Sequence, residues 1–171
     1  MLITRRAALL GGASLWLAPS VLTPSALAQQ PPRLRADRVP PIVFVHGNAE
    51  TAALWHTTIW RFESNGYPRN MLFAIDLSYP SARSDDSKPQ PFRSSTTEQR
   101  DELAAFVRQV MSQTRRRKVA LVGSSRGCNT IRNFVKNGGG ADLVSHVVLC
   151  GGTNHGAVSY THLTLPTIYS V

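Results

Sequence analysis

The stretch VALVGSSRGCNT (Val119 to Thr130) decides how the rest of this chain is read. Its first residues form an apolar run with β-branched side chains, the composition of a strand buried on both faces. Gly123-Ser124-Ser125-Arg126-Gly127 follows and fits G-x-S-x-G with Ser125 at its centre. From Arg126 to Asn137 the pattern is helical, with Ile131, Phe134 and Val135 inward and Gly138-Gly139-Gly140 as the stop. A strand that must become a helix within a few residues forces the central serine into a strained conformation and lifts its hydroxyl clear of the sheet. Gly123 and Gly127 let the two chain segments approach. The five-residue pattern by itself is short. In this strand-turn-helix setting it points to a serine nucleophile.

Working outward, PIVFVHG (Pro41 to Gly47) is a second buried-strand run ending at a glycine. Leu54, Trp55, Ile59 and Phe62 follow at mixed helical spacing, and Asn65-Gly66 with Pro68 ends that helix. MLFAIDLSY (Met71 to Tyr79) reads as a strand, and the polar, proline-bearing stretch after it reads as a loop long enough to be a functional surface. Ser95-Thr96-Thr97-Glu98 has the form of a capping box, and Leu103, Phe106, Val107 and Val110 give the next helix one apolar face. VSHVVLCGG (from Val144) is a further strand. Strands alternating with helices specify the α/β class with a parallel sheet, whose sites form at the carboxyl ends of its strands. His46-Gly47-Asn48, Asp76, the Ser125 turn and the segment Gly151 to Gly156 all fall at those ends.

A serine hydroxyl needs a base to become a nucleophile, and attack on a carbonyl builds charge that needs fixed N–H donors. The N–H of Arg126, just after the serine, is one candidate donor. The N–H of Asn48 is the other, brought close by Gly47. His46 precedes that glycine and is read as orienting the loop rather than as the base. Asp142 is the one carboxylate after Ser125, and it stands at the wrong end of its strand. His146 lies in a strand start. His155 is at the correct end but leaves no room for an acid between it and Ser125. His162 lies in the tail.

PIVFVHGN, LFAIDLSYP and KVALVGSSRG together resemble the first half of an α/β-hydrolase, in the branch of exported bacterial lipases and esterases. The segment GGTNHG is similar to the G-T-P-x-H-G of those lipases, with the proline missing and Gly152 before Thr153. The likeness runs from about Pro41 to Gly156. It implies a carboxylic ester hydrolase with a Ser-His-Asp/Glu triad, acting on a small-molecule or lipid ester and needing no cofactor or metal. It also implies that His155 belongs to loop structure and that acid and base follow later in the chain. Lipase, short-chain esterase and polyester (polyhydroxyalkanoate) depolymerase stay open within the class. A non-catalytic binding protein on the same scaffold is the rival. VSYTHLTLPTIYSV (Val158 to Val171) carries no Lys, Arg, Asp or Glu. It resembles the ending of a reading frame that has run into adapter sequence, so the expectation is a hydrolase domain over 29–157, truncated after the strand that follows the nucleophile helix, with a non-native tail over 158–171.

The opening thirty residues have a different character. Arg5-Arg6, an apolar run from Ala7 to Ala18 and Ala26-Leu27-Ala28 make residues 1–28 an export signal resembling the twin-arginine type. The expected destination is periplasmic or extracellular, with no stable membrane anchor after cleavage. Removing Met1–Ala28, which holds two arginines and no acid, takes the net charge from +9 to +7. Those cations are scattered except for Arg115-Arg116-Arg117-Lys118, whose place at a helix C-terminus answers the helix dipole, so no nucleic-acid partner is expected. Cys128 and Cys150 are read as small packed side chains, with a disulfide as the alternative.

Overall fold

The computed structural model describes residues 32–153. The expected export signal (1–28) and the expected non-native tail (158–171) lie outside them, as do Asn154, His155, Gly156 and His162.

Four strands form one sheet: β1 (Ile42–Val45), β2 (Leu72–Ile75), β3 (Val119–Ser124) and β4 (Val144–Cys150). Their order is β2-β1-β3-β4, and every neighbouring pair is parallel. Three helices connect them: α1 (His56–Ser64), α2 (Thr96–Thr114) and α3 (Arg126–Asn137). The continuous apolar run of β1 follows from its central place, since all four of its residues are buried. Val43 and Val45 join Leu103, Val107, Ile131 and Phe134 of α2 and α3 in one core. Ile42 and Phe44 join Trp55 and Ile59 in the other, on the opposite face. Period-two alternation along β1 thus serves two cores at once.

Several sequence expectations are met in detail. Ser95 accepts from the Glu98 N–H at 3.1 Å and Glu98 Oε2 accepts from the Ser95 N–H at 2.7 Å, closing the capping box of α2. Asn65 caps α1, and Gly66 takes the positive φ of 87° that ends it. The basic run begins at the C-cap of α2, where Arg115 adopts a left-handed conformation.

Two expectations are corrected. The second strand ends at Ile75 rather than Tyr79, because the next backbone N–H groups turn to side chains: Leu77 N–H to His46 Nε2 at 3.2 Å and Ser78 N–H to Glu102 Oε1 at 2.9 Å. Cys128 is buried as expected, but Cys150 is exposed on the outermost strand, and both thiols are free. Burial pushes the Cys128 thiol above its ordinary range.

The strand order reverses once. From β1 the chain moves to β2 on one side, then crosses back to β3 on the other. The switch point lies between β1 and β3, which is where open parallel sheets form their clefts. Val45 pairs with Gly123, so the residues leaving these two strands begin side by side.

Candidate active site

Ser125 stands between β3 and α3 with φ 48° and ψ −119°. The positive φ is one that side-chain-bearing residues rarely adopt, costing on the order of 1–3 kcal/mol. The surroundings hold it there. The Ser125 N–H donates to the carbonyl of Cys150 at the end of β4 at 3.0 Å, and its own carbonyl accepts from the Cys128 N–H at 3.0 Å. The residue is exposed, at the N-terminus of α3 where unpaired N–H groups concentrate positive potential. Arg126 opens that helix, so its N–H belongs to the set that no intrahelical carbonyl can reach.

The glycines around the serine are required by close approach. A Cβ on Gly123 would meet Ile131 Cδ1 at 2.7 Å. One on Gly47 would stand 2.7 Å from Glu50 Oε2 and 2.9 Å from the Ser125 Cβ. The loop after β1 is therefore pressed directly against the Ser125 turn.

His46 is buried at the end of β1, and both ring nitrogens are engaged by backbone. Its Nε2 accepts from the Leu77 N–H, which leaves the proton on Nδ1, 2.9 Å from the Gly47 carbonyl oxygen. With Nε2 accepting and Nδ1 donating, the ring ties β1 to the chain after β2, and neither nitrogen is left to take a proton from Ser125. Asp76 Oδ1, 4.0 Å from Nε2, accepts from the Ala52 N–H at 3.2 Å. Asn48 is exposed, and its carboxamide oxygen accepts from the Ala82 N–H at 2.7 Å. Ala49 follows with φ 57°, its N–H donating to the Pro80 carbonyl at 3.3 Å.

Glu50 was not among the residues singled out from sequence. Its Oε2 accepts from the Gly47 N–H at 2.6 Å, so that N–H is spoken for and the next in line is that of Asn48. A lone acid three residues past a glycine carries no signal that separates this role from ordinary solvent exposure. The Arg126 side chain was also missed. Its guanidinium donates from Nη2 to the Ser94 carbonyl at 2.8 Å and from Nη1 to the Pro80 carbonyl at 3.1 Å.

Among the described residues His146 and the late carboxylate Asp142 stand at the far edge of the sheet from Ser125. His56 opens α1. His146 pairs with Ala120 near the start of β3, whereas Cys150 pairs with Ser124 at its end. Asp142 lies in the turn before β4, at the opposite edge of the sheet. Among the described residues there is no cluster of three or more His, Cys, Asp or Glu suited to a metal ion.

Comparison with solved structures places this arrangement in the α/β-hydrolase fold. The mature form of the Bacillus licheniformis lipase BlEst2 is similar at 26% identity and a TM-score of 0.55, over 74% of this chain and 46% of that one. The propeptide form matches at 26% identity and a TM-score of 0.54, over 74% of this chain and 25% of that one. The present chain thus spans less than half the length of either. Residues 39–158, most of the sequence and including both the Gly47-Asn48 loop and the Ser125 turn, match the model of the family Lipase (class 2), and the chain belongs to that family.

Proposed function

We propose that this chain is the nucleophile-bearing part of an exported carboxylic ester hydrolase. The observation that carries the reading is the strained, exposed Ser125 at a helix N-terminus with the Gly47-Asn48 loop packed against it. In the reaction, the Ser125 hydroxyl oxygen bonds to the ester carbonyl carbon while a histidine takes its proton. The carbonyl π electrons move onto oxygen, and the N–H groups of Asn48 and Arg126 hold that charge. Collapse of the tetrahedral adduct expels the alcohol, which leaves with the proton returned by the histidine, and water then cleaves the acyl-serine to release the acid and restore the hydroxyl. The substrate is a small-molecule or lipid ester.

The base and the acid that orients it come from sequence beyond Thr153. His46 is occupied, His146 stands near the start of its strand, and no hydrogen bond joins His56 to Ser125 among the described residues. Residues 1–28 act as the export signal and 29–157 are the hydrolase segment. The tail 158–171 is not native sequence, a reading that rests on its lack of any Lys, Arg, Asp or Glu.

The test uses p-nitrophenyl butyrate with two proteins: the 171-residue chain, and the chain continued from Ala157 into the genomic sequence downstream. The continued chain should turn over the ester and lose about 10⁴-fold or more on Ser125→Ala. The 171-residue chain should show no turnover that depends on Ser125. Activity in the continued chain that survives Ser125→Ala would overturn the mechanism. Ser125-dependent turnover by the shorter chain would instead keep the nucleophile and bring the base inside it, at His155 or His162.

A further inference from the structure

Residues 77–95 run from the end of β2 to the start of α2 and lie over two parts of the site at once. On one side the Pro80 carbonyl accepts from the Ala49 N–H at 3.3 Å, and the Ala82 N–H donates to Asn48 Oδ1 at 2.7 Å. On the other side the Arg126 guanidinium reaches the same Pro80 carbonyl at 3.1 Å, the Ser94 carbonyl at 2.8 Å and Ser94 Oγ at 3.4 Å. The loop is closed on itself between those contacts. Ser94 N–H donates to the Ser81 carbonyl at 2.9 Å, Ser94 Oγ to the Tyr79 carbonyl at 2.5 Å, and Arg93 Nη1 to the Ala82 carbonyl at 2.6 Å. Its ends are fixed by Glu102, which accepts from Ser78, and by the Ser95 capping box.

We propose that the Arg126 side chain is a positioning residue that sets the distance between the two oxyanion donors. It does so through the Pro80 carbonyl, which receives hydrogen bonds from both the nucleophile turn and the Asn48 loop. The inference rests on the assignment of Asn48 and Arg126 N–H as those donors. The chemistry favours arginine for this task. A guanidinium holds its two terminal NH2 groups in a rigid fork that can engage two separate carbonyls, whereas an ammonium is a single point charge on a flexible stem. The group is half-buried, and burial draws its pKa below the ordinary arginine range while the nearby Asp86 carboxylate opposes that. A cation held away from water in this way needs those oxygens, so the loop and the arginine hold each other. The Arg126 donor is fixed by α3, whereas the Asn48 donor lies in a loop. The Asn48 loop turns at Ala49 through a positive φ, and the Pro80 carbonyl, which also accepts from Gln99 Nε2 at 3.4 Å, is one of the groups that fix it beside the Ala82 N–H. A displacement of about 1 Å at such a donor is enough to cost about 10²-fold in rate.

Amide hydrogen exchange on the full 171-residue chain tests this without relying on turnover. In Arg126→Ala the amides of Ala49 and Ala82 should exchange about tenfold faster or more, the consequence of losing a charge-assisted hydrogen bond. The amides of Val43, Val45 and Leu121 in the sheet should keep their rates. Methylguanidinium added to Arg126→Ala should slow Ala49 and Ala82 again, and Arg126→Lys should fall between wild type and alanine. Unchanged exchange at Ala49 and Ala82 would overturn the proposal. So would acceleration spread equally through the sheet, which marks a general loss of stability. In the genomically continued chain the same substitution should lower kcat by about 10–100-fold with KM within about twofold, because the donors act on charge present only in the transition state. Failure of Ser125→Ala to abolish hydrolysis would overturn Ser125 as the nucleophile. The exchange at Ala49 and Ala82 decides the positioning role separately.

Discussion

Gly127 lies so close beneath His46 that a Cβ added to it would stand 2.5 Å from the His46 carbonyl oxygen and 2.5 Å from that of Val45. Both contacts are backbone, so neither can swing aside. Gly127→Ala should therefore push α3 away from β1 and cost about 3 kcal/mol, at the upper end for overpacking. Gly139→Ala is the control, since a Cβ there meets nothing within 4 Å and only its positive φ of 74° is strained. It should cost only about 1 kcal/mol. Urea denaturation of the two variants measures the difference, and equal midpoints would mean that close packing is not what demands the glycine at 127.

Ser125 gives a prediction of the opposite sign. Its φ of 48° is tolerable for glycine and costly for any side chain. Ser125→Gly should raise the stability by about 1 kcal/mol, strain relief outweighing the greater freedom of glycine in the unfolded chain. Ser125→Ala keeps the Cβ and should leave stability nearly unchanged. Thermal melts that rank alanine equal to glycine would show the turn to be unstrained.

The capping box of α2 should be worth about 1 kcal/mol, read as the loss on Ser95→Ala. It also carries a pH dependence. Hydrogen bonding by the Ser95 N–H, the main cause, holds the Glu98 carboxyl below its ordinary value, with help from the Ser95 hydroxyl and Arg83 and against some desolvation. A carboxyl lowered by folding contributes stability above its unfolded pKa and loses it as pH falls through the folded one. Glu98→Gln should flatten that acid-side loss, and denaturation curves between pH 5 and about pH 2 would reveal it.

Tyr67 should act at the other end of the scale. Its hydroxyl donates to the Pro40 carbonyl, and burial pushes its pKa up to about 12. The unfolded chain ionises near 10, so the folded form alone holds the proton between the two values. Stability should be complete below pH 10, fall as pH rises toward 12, and level beyond it. In Tyr67→Phe that segment of the pH profile should be flatter than in the wild type. Parallel profiles for the two proteins would remove Tyr67 as the cause.

The sheet was legible in the sequence because β1, β3 and the helix faces depend on patterns a few residues long. The apolar run at Ile42–Val45, the capping box at Ser95 and the glycines around Ser125 each report their local structure directly. The end of β2 was not legible. Leu72 to Tyr79 stays apolar enough for a strand, and only the distant His46 and Glu102 draw its backbone out of the ladder. The candidate site divides in the same way. Ser125, Gly47 and the first turn of α3 follow from the chain around them. Glu50 against Gly47, and the Arg126 guanidinium against Pro80 and Ser94, require knowing which of many polar side chains meets which backbone group. Composition does not encode that choice. The exposure of Cys150 was missed for a related reason, because strand order, and hence which strand lies outermost, is set by crossovers rather than by the strand's own residues.

The pairing of Ile42 with Ala120 has a further consequence for how the molecule comes into being. The central strand is the first to leave the ribosome, yet one of its two partners emerges only after α1, β2 and α2 have been made. Until then Ile42, Val43, Phe44 and Val45 have one open edge, and a nascent chain in that condition presents a wholly apolar strand to its surroundings. Parallel pairings over such sequence separations form slowly, since loop closure comes before any compensating contact. The Ser125 turn comes later still, because its N–H waits for the carbonyl of Cys150. Among the described elements the Ser125 turn is one of the last to take shape in order of synthesis, and the interval before it is a time in which a chaperone would have much to hold.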